Sequence, residues 1–149
     1  MFEKTLSIVI PTYNMSAYLC RCLDSVTRED IPSSLELIVV NDGSTDNSLA
    51  IMQEYETKRP DIVKIINKTN GHYGSCVNAA LKVATGKYFR ILDADDWFDT
   101  NQLIQFLKKT ETIDVDLIIT PRTEHFQDHT IAYSMKNLPS DILSKETFD

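Results

Sequence analysis

The sequence predicts an α/β protein, a mostly parallel β-sheet with helices on both faces. Three observations carry this. Short runs at 6–10, 37–40, 63–66 and 117–119 are rich in Leu, Ile and Val. They largely lack the alternation of a strand with one wet face, as strands covered on both sides do. Helical patterns separate the runs, and alternating strand and helix builds crossover units around a layered sheet. Each loop that follows a strand is small, polar or acidic.

The elements follow in order. LSIVI at 6–10 is the first strand and ends at Pro11. Residues 17–27 form a helix, because Leu19, Leu23 and Val26 recur on one face. LIVV at 37–40 is the second strand. The helix at 48–58 groups Leu49, Met52 and Tyr55 and stops at Arg59-Pro60, where proline disfavours a helical predecessor. Residues 63–66 are the third strand. The helix at 75–85 groups Val77, Leu81 and Ala84, with Gly86 as its C-terminal cap. A fourth strand runs into Asp93. Thr100 caps a helix carrying Leu103, Phe106 and Leu107. Residues 117–119 are the fifth strand. Beyond Thr120 the pattern weakens: 130–134 reads as a short strand, and LSKETFD as a helix start capped by Ser144. Residues 1–149 thus read as a single domain, truncated near its end.

The 149 residues suffice for one domain with a core. The net charge is -7, and the 15 Lys and Arg are scattered. Nucleic acid and anionic membranes need clustered positive charge, so neither is expected as the main partner. The N-terminus lacks a cleavable apolar leader, and no apolar run approaches the ~20 residues that span a bilayer, so no transmembrane segment is expected. A cytoplasmic setting follows. Cys20, Cys22 and Cys76 are odd in number and lack a framework spacing, which suits free thiols in a reducing compartment. Cys20 and Cys22, two apart on a helix, point in different directions.

RILDADDWFD at 90–99 puts Asp93, Asp95 and Asp96 at the end of a strand. Charges so close repel, and burying them unpaired is costly. Either a cation belongs among them or the turn is open to water. The other loops bear on the choice. Open α/β sheets bind ligands beyond the carboxyl ends of their strands. There the sequence places Pro11-Thr12-Tyr13-Asn14, then NDGSTD from Asn41 to Asp46, then Asn67 to Gly74, then Asp93-Ala94-Asp95-Asp96. Asp42 can accept hydrogen bonds from a base or sugar edge, and Tyr13 can stack on a base. Asp95 and a neighbour can hold a divalent ion that neutralises a diphosphate. Hard oxygen ligands select Mg²⁺ or Mn²⁺. The pattern points to a nucleotide diphosphate with its cation. NGHYGSCVN is neither G-x-G-x-x-G nor G-x-x-x-x-G-K-[ST], which argues against a dinucleotide oxidoreductase or an NTPase. Plainer roles compete at each position. The aspartates can form a solvated turn, Thr45 or Asp46 can cap a helix, and Trp97 can be a packing anchor.

LSIVIPTYN, LELIVVNDGSTD and ATGKYFRILDADDWF, in this order and spacing, resemble the family 2 glycosyltransferases of the GT-A fold over about residues 6–122. The resemblance implies a Rossmann-like sheet and transfer of a sugar from a nucleotide-diphosphate donor, commonly a UDP-sugar, to an acceptor hydroxyl. The acceptor would be a saccharide, a lipid-linked group or a protein, the cofactor Mn²⁺ or Mg²⁺, and the outcome inversion. The family's D-x-D falls on Asp93-Ala94-Asp95: Asp95 as metal ligand with Asp96 beside it, Asp93 toward the ribose or sugar. Nucleotide-sugar contacts carry over to Pro11, Tyr13, Asp42, Asn70, Gly74 and Asn78. Residues 1–122 would be the donor portion and 123–149 the start of the acceptor portion. Relatives that build surface polysaccharide suggest the inner face of a membrane, reached through regions outside this chain.

Inversion needs a general base to take the acceptor's proton. Asp128, Asp141 and Glu146 are the late carboxylates, and no pattern singles one out, so the base is unassigned. The sequence also departs from its relatives. Val77 stands where many have Arg, and His72 where many have Gly. Lys68 and His72 are the nearby groups that could restore positive charge. Arg90 lies inside a strand, so an edge position or an acidic partner is expected. Two alternatives remain at this stage. A nucleotidyltransferase would want a Gly-rich basic first loop, and PTYNMSAYLCR has no glycine. A truncated domain would bind nucleotide without transferring anything.

Overall fold

The computed structural model describes residues 3–126 and 128–133. The order is β1 (Lys4–Thr12), α1 (Leu19–Thr27), β2 (Leu35–Asp42), α2 (Ser48–Lys58), β3 (Val63–Lys68), α3 (His72–Leu81), β4 (Gly86–Ile91), α4 (Thr100–Thr110), β5 (Arg122–His125) and β6 (Thr130–Tyr133). The chain divides into two units, Met1–Thr112 and Ile113–Asp149. The first holds a parallel sheet ordered β3-β2-β1-β4. In the second, β5 and β6 form an antiparallel pair, Arg122 opposite Tyr133.

Strand alternation sends residues to two cores. Leu6, Ile8, Ile10, Leu35, Leu37 and Val39 meet Leu19, Leu23 and Val26 of α1, Met52 and Tyr55 of α2, and Leu103 and Leu107 of α4. Val9, Ile38 and Val40 meet Cys76 and Ala80 of α3 on the other face. Helices therefore cover both faces, as expected. Each fully buried Leu, Ile or Val contributes about 1.5–3 kcal/mol. Among the described residues, no helix is long and apolar enough to cross a membrane. All three cysteines are free; Cys20 is exposed, Cys22 and Cys76 buried.

Four local expectations are corrected. Helix α3 begins at His72, not 75, and presents Cys76 and Ala80 to the sheet, leaving Leu81 53% exposed. Gly86 does not cap that helix; it opens β4. A Cβ there would lie 2.5 Å from the backbone nitrogen of Ser7, so close strand approach demands the glycine. Asp99, not Thr100, caps α4, its carboxylate accepting from the Gln102 N–H at 3.1 Å. Residues 117–119 form no strand, and Leu117 and Ile119 are exposed. The strands that do form in that unit, β5 and β6, pair with each other instead. The strand expected at 130–134 is β6 to Tyr133. Asp141, Ser144 and Glu146 lie outside the described residues.

Arg90 sits on β4, the last strand in the sheet order, with its guanidinium 5.0 Å from the Phe98 ring centre. Burial lowers its pKa from the ordinary arginine value.

Candidate functional site

The sheet order fixes where a ligand can sit. The chain lays β2 and β3 on one side of β1 and returns to lay β4 on the other. At such a switch the connections diverge to opposite faces and leave a crevice beyond the carboxyl ends. A cleft of about 560 Å³ lies there. Its walls take Pro11, Thr12 and Tyr13 from the end of β1, Asp42 from β2, Asn70, His72 and Tyr73 from the segment after β3, and Asp93 and Asp95 after β4.

The first two loops are tied together. Asn14 adopts a left-handed backbone, φ 54, which an asparagine tolerates better than most residues. Its side-chain oxygen accepts from the N–H of Thr45 at 2.8 Å and of Asp46 at 3.3 Å. Asp46 returns the link, accepting from the N–H of Ser16 at 3.0 Å and of Ser48 at 2.9 Å. Asp46 thus braces the turn before α2, but Asn47 holds the N-cap position and makes no side-chain cap bond, so the expectation that Thr45 or Asp46 caps the helix is corrected. Burial tends to raise its carboxyl, but the Ser48 and Ser16 donors outweigh that and hold it well below the usual range. Tyr13 stands beside this tied pair, 49% exposed on the cleft wall.

Asp42 ends β2 and is only 3% exposed. Lys68, from the neighbouring strand in register, pairs with its Oδ1, and the Gly71 N–H donates to the same oxygen at 2.9 Å. Burial pushes this carboxyl up; Lys68 and Gly71 overcome that and hold it below the usual range. Asp42 is therefore an ionised acceptor at neutral pH.

The aspartate turn follows strand alternation past the end of β4. Leu92 and Ala94 point into the core, while Asp93 and Asp95 point out on the same side. Helix α1 holds the segment from beneath: Ser25 accepts from the Phe98 N–H at 3.1 Å through Oγ and from the Thr100 hydroxyl at 2.9 Å through its carbonyl. The three carboxylates are exposed, so water answers their repulsion here. Asp96 does not line the cleft, and burial, then Asp95 and Asp93, raise its carboxyl. Among the described residues, no group of three His, Cys, Asp or Glu side chains is placed to hold a metal. Asp93 and Asp95 offer hard oxygens to a shared space, which suits Mg²⁺ or Mn²⁺ completed by ligand phosphate and water. Trp97 has Arg21 3.2 Å over its ring centre, so that face is covered.

Of the residues singled out in the sequence, Pro11, Tyr13, Asp42, Asn70, Asp93 and Asp95 meet at the cleft. Gly74 and Asn78, exposed on α3, are not among its walls, nor is Val77. Tyr73 was missed. Its hydroxyl donates to Asp93 Oδ1 at 2.8 Å. Burial first, then Asp93, push its pKa up to about 12, so it stays protonated. No sequence signal marks a pair set by how α3 lies against β4. His72, where relatives often have glycine, is left-handed at φ 65.

A family model described as glycosyl transferase family 2 matches residues 7–147. The chain is 32% identical over 142 residues to the putative glycosyltransferase EpsH of Bacillus subtilis, across 95% of this chain and 39% of that protein. An uncharacterized glycosyltransferase of Mycoplasma pneumoniae is 29% identical over 151 residues, across 96% of this chain and 50% of that protein. Among solved structures, S. aureus TarS 1-349 in complex with UDP-GlcNAc matches with TM-score 0.63 and 32% identity, over 72% of this chain and 31% of that one. The mannosyltransferase PcManGT from Pyrobaculum calidifontis, solved with GDP-Man and Mn²⁺, has TM-score 0.63 and 24% identity, over 76% of this chain and 36% of that one; this is a likeness of fold. The chain spans half or less of the length of each.

Proposed function

This chain belongs to glycosyl transferase family 2, and on that premise we propose that it carries the donor side of a metal-dependent, inverting transfer of sugar from a nucleotide diphosphate, a UDP-sugar, to an acceptor hydroxyl. One observation supports this above the rest. Three carboxylates from two strand ends, Asp42 of β2 and Asp93 and Asp95 after β4, converge with Tyr13 on one cleft at the sheet's switch point. The UDP-GlcNAc bound by TarS, at 32% identity, supports the uridine choice.

The assignments follow from chemistry. An ionised Asp42 accepts an N–H of the base, as uracil offers at its imide. The half-exposed Tyr13 stacks on that base. Asp93 faces the ribose or sugar, and Asp95 holds the cation. Mn²⁺ or Mg²⁺, when bound with the donor, offsets charge on the departing diphosphate. Asp96 is given the bracing part, since it stands off the cleft wall. The base that takes the acceptor's proton stays unassigned.

Calorimetric titration of UDP, with Mn²⁺ and with EDTA, tests this on the wild type and Asp95→Ala. Metal-dependent binding that the substitution abolishes is the expected result. A folded protein that ignores UDP under both conditions refutes the uridine assignment.

A further inference from the structure

One contact across the cleft is used by none of these roles. The Tyr73 hydroxyl reaches from the first turn of α3 to Asp93 Oδ1, 2.8 Å away. The ring is 52% exposed and lines the cleft, so its removal leaves little hole. Its placement has a backbone cause. Just before it the chain turns through the left-handed His72, a conformation disfavoured for a residue with a Cβ. That turn starts α3 one residue from Asp42's own donor, Gly71. One short segment therefore touches both carboxylates, Asp42 through Gly71 and Asp93 through Tyr73.

Asp93 has reason to need such a hold. It shares an exposed turn with Asp95 and Asp96, and repulsion favours rotamers that swing it away from them. A lysine would restrain it by cancelling its charge. A phenol restrains it and leaves the charge in place, since a neutral donor adds none. We propose that Tyr73 is a positioning residue of the donor site: its hydroxyl fixes one oxygen of Asp93, so that the carboxylate is pre-aimed at the donor and its cation. Affinity gained this way comes from ordering paid before the ligand arrives. This rests on the nucleotide-sugar reading above.

Tyr73→Phe removes one oxygen atom from a half-exposed ring. Binding of UDP is measured with saturating Mn²⁺ and with EDTA, beside thermal melts. The variant is expected to bind UDP about three- to tenfold more weakly with Mn²⁺, the range of an ordinary hydrogen bond, because the pair is open to water. Its melting temperature is expected to match wild type. In an Asp93→Ala background the same substitution should do nothing further, because the acceptor oxygen is already gone. Equal UDP affinity in Tyr73→Phe and wild type overturns the proposal. So does a loss that tracks a fall in melting temperature, since that describes a structural staple. If the wild type binds neither UDP nor GDP with Mn²⁺, the donor-site reading itself fails and this inference falls with it.

Discussion

Replacing Lys68 by methionine probes the floor of the cleft. Asp42 is 3% exposed, and its partners include Lys68, the Gly71 N–H and, more weakly, the Cys76 thiol. Lys68 also donates to the Thr69 carbonyl at 2.7 Å and to Ser75 Oγ at 2.9 Å. Methionine keeps the length and removes the charge. Asp42 then has two courses. It can stay ionised without its cation, at about 3–5 kcal/mol for a broken buried pair. Or it can take up a proton, which at pH 7 costs at most about 4 kcal/mol, about three units above an ordinary value near 3.9 at about 1.36 kcal/mol each. The Lys68 side chain is 23% exposed, so water can reach the gap and trims both figures. The expected destabilisation is about 2–4 kcal/mol at pH 7.

The sign with pH separates this from lost packing. In the wild type Asp42 is held below its usual range. Its contribution is present above the unfolded value and lost only as pH falls through the folded one. In Lys68→Met the carboxyl moves upward, so acid now favours the folded variant relative to wild type. Urea unfolding at pH 7 and pH 4.5 reads the difference. At pH 4.5 the proton is nearly free, and the deficit should shrink to about 1 kcal/mol. Lys68→Met with Asp42→Asn should recover most of it at pH 7. A deficit that is the same at both pH values would falsify the buried-charge account.

Two further outcomes follow. Gly86→Ala should cost about 1–3 kcal/mol in urea unfolding, because the new Cβ meets the Ser7 nitrogen at 2.5 Å and Leu6 carbonyl carbon at 2.8 Å, both backbone; a neutral result would mean that β4 can shift away from β1 freely. In the native protein at pH 8 a thiol reagent should modify Cys20 first. Cys22 lies buried under the aspartate turn, its pKa raised to about 12 by burial and then by Asp96, Asp95 and Asp93, and burial raises Cys76 too. Cys22 reacting as fast as Cys20, by mass spectrometry, would mean that the turn does not cover α1.

The sheet was legible because buried parallel strands leave little room for polar residues, and LSIVI and LELIVV show it. The loops were legible because topology gathers every carboxyl end on one edge. The phase of α3 was not. Val77, Leu81 and Ala84 do recur at helical spacing, yet the sheet takes Cys76 and Ala80. Small side chains let a helix settle against Val9, Ile38 and Val40, and a search for large apolar residues passes over them. Lys68–Asp42 and Tyr73–Asp93 were also hidden, being 26 and 20 positions apart. Strand register sets the first and helix placement the second, and neither leaves a local pattern.

Strand β2 shows why burial and pairing alone do not locate a site. It carries a buried acid at each end, Glu36 and Asp42, each joined to a lysine of β3, Lys64 and Lys68. Both carboxyls lie below their usual range despite burial. By charge and exposure they are near twins. Their surroundings part them. Glu36 has both oxygens engaged, Oε1 by Lys64 and the Thr85 hydroxyl, Oε2 by Ser7 and the Thr85 N–H. It locks the amino-terminal edge where Gly86 crosses β1. Lys68 and the Gly71 N–H both reach Asp42 Oδ1, the Cys76 thiol adds a weaker contact, and the residue lines the cleft. The strand direction decides which of the two meets a ligand, because only carboxyl ends open onto the crevice. The same physics that secures one end of the sheet leaves, at the other, a charged acceptor held ready in a nearly dry wall.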